Sequence, residues 1–546
     1  MHVLAQAAEA TLATPPIDWR AIAPELALTG AGVVLLLVVA WFPDARRTVL
    51  AALTLVGLAV AAGLTAWNWG LARPAFGGAV ALDGLTRYAR VVLLASGALA
   101  TLMAAQEGEQ QPDSPPEVFP LLTFALVGMV MLAAAADLLV VFIALEILSL
   151  SLYIMAGATR RLAAEEAAMK YFLLGAFASA FLLYGIALTY GATGTTRLLG
   201  IAHASGDPTI NSTLLLAGAG LLAVGLCFKV SAVPFHMWTP DVYQGAPTAV
   251  TAFMAAATKA AGFAAFLRVF GSALGGLAGE WRPVIAAVAV ATMLVGSILA
   301  VVQSDLKRML AYSSVSHAGY LLIGVAAAAS VRAALPASMF YLLAYAFTVM
   351  GAFMVIQYAS SIAPAEREPE PEALTAPKPT TAPVIAGGAV DRADATVAGR
   401  QPGDDGDSGN LDRMLGERAS LDDYRGFGRR HPWPGALLSV FLFSLAGIPP
   451  LSGFWAKYYV FQAGVDAGLT WLVVVAVASS VISAFFYLRV VVVAFLQEPQ
   501  GAEPAGRRAP LLGVALAVAG LATVLIGLAP QVLISAAQSA GRILGA

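Results

Sequence analysis

Apolar residues fill this chain in long, nearly unbroken runs separated by short polar stretches. A membrane-crossing helix needs about 20 mostly apolar residues. Runs of that kind lie near 24–42, 47–69, 86–105, 117–136, 138–158, 166–191, 211–233, 245–272, 283–302, 307–328, 336–359, 434–463, 469–496 and 509–528. The pattern predicts an all-α integral membrane protein with about fourteen transmembrane helices. The runs lack the in/out alternation of a membrane barrel, so strands are not expected.

Proline interrupts two of these spans. Pro234 deprives the carbonyl of Val230 of its usual helical donor, and Pro449 and Pro450 do the same to Leu445 and Ala446. At membrane depth, broken helices are tolerated where they are buried in protein or line a water-filled cavity. Breaks at corresponding places in two halves point to internal repeats. The halves here are two five-helix units that enter the membrane in opposite directions. The expected organisation is three N-terminal helices over 1–116, a first five-helix repeat over 117–272, a second over 283–496, and a last helix and tail over 509–546.

Residues 361–432 break the hydrophobic pattern, being rich in Pro, Glu, Asp and Gly with few aromatics. Such a composition cannot bury enough apolar surface to offset its ordering entropy. The segment 361–418 therefore reads as a flexible cytoplasmic insertion within the second repeat. An unconstrained insertion explains it more simply than a regulatory element.

Composition narrows the function. Only 12% of the 546 residues are charged, against about 25% in soluble domains. The single cysteine, Cys227, excludes a disulfide framework and a cysteine-ligated iron–sulfur cluster. Five scattered histidines argue against a multi-histidine haem or metal site, and no glycine-rich phosphate loop has a strand–turn–helix setting. The net charge of −2 gives no footprint for nucleic acid. The N-terminus lacks the basic start and apolar run of a signal peptide, so the first span is expected to be retained.

Basic pairs set the expected orientation. Arg46–Arg47, Arg160–Arg161, Lys307–Arg308, Arg429–Arg430 and Arg507–Arg508 all follow odd-numbered spans, which makes that face cytoplasmic and both termini periplasmic. Opposing loops carry Arg73, Arg87, Arg90, Arg197, Arg268 and Arg282, but no adjacent pair.

Candidate chemistry sits inside the apolar runs. Glu146, Lys170, Lys229, Lys259 and Lys457 interrupt them, and a charge at mid-bilayer costs roughly 2.5–3.5 kcal/mol on insertion scales. Each needs a partner, a cavity or a function. Glu146 could be a packing hydrogen bond, although Gln would serve that role at lower cost. Lys229 lies five residues before Pro234 and could instead mark an ordinary kink or reach the interface by snorkelling. Lys457 stands beside the second break, and Lys259 lies among small residues that let helices approach closely. Lys170 lies near a helix end beside Glu165 and Glu166, where snorkelling competes evenly. His317 titrates near neutral pH and could join two lysines through water, or be a satisfied core histidine. Asp305, Lys307 and Arg308 read as surface charges at a helix start. A buried lysine yields its proton more readily than an exposed one, and a movable carboxylate reverses this. A series of such lysines reads as a proton path.

The runs MKYFLLGAFASAFLLYG, GLCFKVSAVPFHMWTPDVYQGAPT and SDLKRMLAYSSVSHAGYLL resemble the antiporter-like membrane subunits of respiratory complex I, most closely the subunit N family of bacterial NADH–quinone oxidoreductase. The resemblance covers essentially the whole chain except 361–418. It implies fourteen helices with inverted repeats, Glu146 and Lys229 as a carboxylate–lysine pair, Lys259 as a connecting lysine and Lys457 as the distal one. Lys170 and His317 fall on the same polar path. It also implies a multi-pass subunit of the bacterial inner membrane that moves protons as part of a NADH:quinone oxidoreductase without redox chemistry of its own. NADH, FMN, iron–sulfur clusters and quinone would belong to partner subunits, and the partners would be other complex I membrane subunits and the lipid bilayer. Three alternatives stay open: a subunit of a multisubunit Na⁺/H⁺ antiporter, a structural membrane subunit with vestigial charges, and an independent solute transporter.

Overall fold

The computed structural model describes residues 17–110, 114–159, 161–207, 210–361, 419–499 and 509–540. Apart from Ser361, the expected insertion 361–418 lies outside these residues.

The described chain is almost entirely helical. It runs through α1 (Ala23–Trp41), α2 (Arg47–Trp67), α3 (Gly84–Gln110), α4 (Val118–Ala134), α5 (Leu138–Ala156), α6 (Leu162–Thr193) and the short α7 (Leu198–Ala204). Then come α8 (Ser212–Val230), α9 (Trp238–Gly245) and α10 (Thr248–Ala273). After these follow α11 (Ala278–Val301), α12 (Leu306–Ala328) and α13 (Ala334–Ser361). Beyond the insertion lie α14 (Phe427–Arg430), α15 (Pro432–Ala446), α16 (Ser452–Asp466), α17 (Thr470–Leu496), α18 (Pro510–Leu528) and α19 (Pro530–Ala540). Among the described residues, twelve helices are long and apolar enough to cross a membrane. The two other expected spans correspond to the shorter apolar helices Val118–Ala134 and Pro432–Ala446, the latter being half of a broken span.

Both expected breaks are present. Helix α8 stops at Val230, and the chain is non-helical until Trp238; α15 stops at Ala446, and α16 begins at Ser452. Each half-helix ends on a left-handed residue, Ser231 (φ 64°) and Gly447 (φ 90°). Ser231 carries a side chain in a conformation that favours glycine, and its hydroxyl accepts a hydrogen bond from Thr239 at 2.8 Å. A single antiparallel hairpin, Arg73–Ala75 with Val80–Leu82, departs from the expectation of no strands. It lies outside the apolar runs, and Ala79 accepts a hydrogen bond from Ala136 N, tying it to the start of α5.

Three side-chain caps fix where the chemistry-bearing helices begin. Asp137 accepts from Leu139 N at the start of α5, Asn211 from Leu214 N at α8, and Asp305 from Arg308 N at α12. These helices carry Glu146, Lys229 and His317. Close helix packing then sets their neighbours. A Cβ added to Gly185 would lie 2.8 Å from the Leu222 backbone nitrogen, so glycine is what lets α6 press against α8.

Two arginines counted among the loop charges belong to the interior. Arg90 pairs with Glu25 at 2.5 Å, and Arg268 grips Asp83 through both terminal nitrogens at 2.6 and 2.9 Å. Both guanidinium groups are buried, each against a carboxylate from a distant part of the chain, which sequence position alone does not reveal. Breaking a buried pair by removing one partner costs about 3–5 kcal/mol. Asp83→Ala should therefore strip the folded protein from membranes, whereas Asp422→Ala, in an exposed pair with Arg425, should leave its amount unchanged. Immunodetection and thermal melting of solubilised membranes check this; equal stability of the two variants would contradict it.

Candidate functional site

Lys229, near the end of α8, is buried against α5 and α6. Its Nζ donates to Ser149 Oγ at 2.9 Å and to Tyr171 OH at 3.3 Å. The Tyr171 ring stacks on Trp238 with centroids 4.5 Å apart, and Trp238 Nε1 donates to the Phe228 carbonyl at 3.1 Å. The residue that opens the second half-helix thus steadies the tyrosine beside the lysine. Glu146 lies one turn before Ser149 on the same helix and accepts from Ser179 Oγ at 2.5 Å. Among the described residues it makes no ion pair with Lys229; Ser149 and Tyr171 occupy the ammonium instead. Glu146 is half-buried, on a helix whose outer face exposes Ile143, Leu150 and Ile154.

Lys259 follows a π-helical turn over Met254–Thr258, a local widening often found at functional sites. Its Nζ donates to both the carbonyl and the hydroxyl of Ser314, the latter at 2.6 Å. Ser314 is on α12, and one turn further along is His317. The two ring nitrogens of His317 meet Tyr341 OH at 2.6 Å and Tyr487 OH at 3.2 Å. Tyr487 also bonds Ser313. A neutral imidazole with tyrosines on both sides can accept at one nitrogen while donating from the other. One further turn brings Tyr320, whose ring lies 5.1 Å from Lys457 Nζ. The lysine itself donates to Ala446 O at 2.8 Å and to Ser480 Oγ at 2.7 Å. The carbonyl freed at the second break is therefore one of its ligands. Helix α12 spans the distance between Lys259 and Lys457 with a single polar face.

Lys170 is placed elsewhere. Its side chain is 42% exposed and bonds Glu166 at 2.6 Å and Asp241 at 2.9 Å. Asp241 also bonds Arg308 at 2.7 Å. These charges line a cavity of about 270 Å³ at the far end of α9, which also takes in Arg161, Gln244 and Asp305. Lys170 marks a charged mouth, and its neighbour Tyr171 reaches inward to Lys229.

The reading of Asp305, Lys307 and Arg308 as surface charges is corrected. Asp305 is a buried cap, Arg308 is half-buried on Asp241, and Lys307 is fully buried, its Nζ donating to Ala246 O at 2.7 Å. That carbonyl sits at the joint between α9 and α10. The signal was present in the spacing: Lys307, Leu310, Ser314 and His317 fall on one helical face. Their adjacency to a basic residue at a helix start masked it.

The model of the NADH:quinone oxidoreductase/Mrp antiporter membrane family matches residues 135–382 and 408–483. Subunit N of NADH-quinone oxidoreductase from Rhodococcus opacus is 40% identical over 97% of this chain and 96% of its own length. The chain belongs to the NADH-quinone oxidoreductase subunit N family. A chain in the structure of respiratory complex I from Thermus thermophilus with bound aureothin is 33% identical, covers 94% of this chain and superposes with a TM-score of 0.71. A chain of the Mrp complex from Dietzia shares the fold, at 22% identity, 96% coverage and a TM-score of 0.75. The subunit N family resemblance thus extends over both broken helices and every buried lysine described above.

Gly447 offers a local probe of the second break. It is left-handed, and an added Cβ would lie 3.1 Å from Lys457 Cδ and 3.4 Å from its Nζ. Gly468 has the same handedness with open space around it. Alanine at either position pays roughly 1–2 kcal/mol of backbone strain, but only Gly447→Ala pushes on the lysine. Proton transport in vesicles, normalised to folded protein, should fall several-fold for Gly447→Ala and stay near wild type for Gly468→Ala. Equal effects would detach the break from Lys457.

Proposed function

We propose that this chain is a proton-translocating membrane subunit of an NADH–quinone oxidoreductase. The observation that carries the reading is the buried series Lys229, Lys259, His317 and Lys457, linked to hydroxyl groups throughout rather than to fixed countercharges. Each member can hold or release a proton, and serine or tyrosine oxygens beside it can pass one on by reorienting. Full-length identity of 40% to a subunit N relative favours this over an Mrp-type antiporter subunit, for which the likeness is one of fold. A purely structural role leaves several desolvated lysines unexplained.

In this reading protons pass between Lys229 and Lys457 through Lys259 and His317. Residues 117–272 and 283–496 act as two inverted halves, and each broken helix opens toward one membrane side. Quinone reduction supplies the energy in partner subunits, where NADH, FMN, iron–sulfur clusters and quinone bind. Glu146 biases Lys229 by its charge across Ser149. A carboxylate half-exposed among Ile143, Leu150 and Ile154 is costly against lipid, so this face abuts a neighbouring membrane subunit. The chain is multi-pass in the bacterial cell membrane, with the Arg46–Arg47 and Arg507–Arg508 face cytoplasmic and the termini periplasmic.

Lys229→Ala in the assembled complex should lower quinone-linked proton pumping at least tenfold. Lys229→Arg should not restore it fully, because arginine keeps its proton. Pumping assays on inverted membrane vesicles, with assembly verified by native electrophoresis, check this. Normal pumping by assembled Lys229→Ala would overturn the reading.

A further inference from the structure

Lys229, Lys259 and Lys457 stand on three different helices, yet the same two neutral groups meet each ammonium. Lys229 has Ser149 Oγ at 2.9 Å and Tyr171 at its hydroxyl end, the OH at 3.3 Å and the ring centroid at 5.5 Å. Lys259 has Ser314 Oγ at 2.6 Å and the Tyr345 ring at 5.4 Å. Lys457 has Ser480 Oγ at 2.7 Å and the Tyr320 ring at 5.1 Å. Among the described residues none of the three forms an ion pair, although Lys170, Arg90 and Arg268 all do.

We propose that a recurring serine–tyrosine cradle is the positioning device for all three lysines, with Tyr345 and Tyr320 holding the ammonium form by their rings and Tyr171 by its hydroxyl. The proposal rests on the proton-path reading above and adds residues that reading does not assign. A cation within about 6 Å of an aromatic centroid gains roughly 0.5–2 kcal/mol, rising as water is excluded. That is enough to favour the charged form without fixing it. A carboxylate in direct contact would hold the proton far more firmly. The serine hydroxyl complements this, since it accepts from an ammonium and, after rotation, donates to a neutral amine. Ring and hydroxyl together hold the side chain in place while leaving both protonation states accessible.

Tyr345 allows the ring to be tested apart from its hydroxyl, which is buried beside Ser314 without a hydrogen bond of regular geometry. The titratable groups around Lys259 are His317 on α12, Tyr345 and Tyr341 on α13, Tyr243 on α9 beside Ser314, Tyr487 on α17, and Lys229 beyond Gly262. Tyr345→Phe keeps the ring over Lys259; Tyr345→Leu removes it. Proton pumping by the assembled complex in inverted vesicles is measured across pH for both variants. Tyr345→Phe should follow the wild-type profile. Tyr345→Leu should lose activity earlier as pH rises, its alkaline limb moving down by about half a pH unit or more. A uniform loss without a shift, or equal profiles for the Phe and Leu variants, would overturn the cradle.

At Lys229, with Glu146 and Tyr153 as the nearby titratable groups, Tyr171→Phe and Tyr171→Leu both remove the hydroxyl contact and should both move the alkaline limb down. This keeps the test valid if Tyr345→Leu fails to assemble; a wild-type profile for both would overturn the cradle. Lys259→Ala separates the two levels of the argument. If it abolishes pumping while the ringless variants titrate like wild type, the cradle alone fails. If it pumps normally, the proton-path reading fails and the cradle with it.

Discussion

An ammonium group inside an apolar helix bundle loses most of its hydration, and the rest of this structure is arranged around that cost. Lys229, Lys259 and Lys457 are buried, and each is met by hydroxyl or carbonyl oxygens instead of a carboxylate. Arg90 and Arg268 meet the same problem with ion pairs to Glu25 and Asp83. The two solutions divide the molecule by function. Paired arginines lock the N-terminal helices and α10 together, while among the described residues no ion pair holds Lys229, Lys259 or Lys457.

The helix breaks follow from the same constraint. A continuous helix satisfies most of its own carbonyls, whereas a break leaves some without their helical donor. At the second break Ala446 O is released and becomes a ligand of Lys457. At the first break the released backbone is taken by Trp238, whose ring in turn fixes Tyr171 against Lys229. The lysine precedes its break in α8 and follows it in α16, so the two breaks stand in opposite order to their lysines along the chain. Helix α12 joins them because Ser314, His317 and Tyr320 recur at its helical period.

Much of this was legible in the chain itself. Long apolar runs gave the helices, prolines located both breaks, and isolated charges within apolar runs named Lys229, Lys259 and Lys457, which the fold buries, together with Lys170, which it leaves partly exposed. What the sequence could not supply was the partner of each charge, because partners come from distant helices. Arg268 looked like a loop residue until Asp83, 185 positions away, met it. Lys307 looked exposed because it follows a basic-pair pattern, yet Ala246 O binds it in the interior. The resemblance implies Glu146 and Lys229 as a pair; what it does not supply is that Ser149 and Tyr171 take the hydrogen bonds of the ammonium. Tyrosines were silent in the sequence for the same reason: a ring's value to a cation depends on a neighbour from another helix.

The claim on which the account turns is that Lys229, Lys259, His317 and Lys457 form one continuous polar thread. No direct hydrogen bond among the described residues joins Lys229 to Lys259, so the thread requires water there. A structure of the assembled complex at a resolution that shows ordered solvent tests this directly. Waters are expected to bridge Lys229 to Lys259 and Lys259, through His317, to Lys457. Apolar side chains packed without solvent between any two of these groups would contradict it.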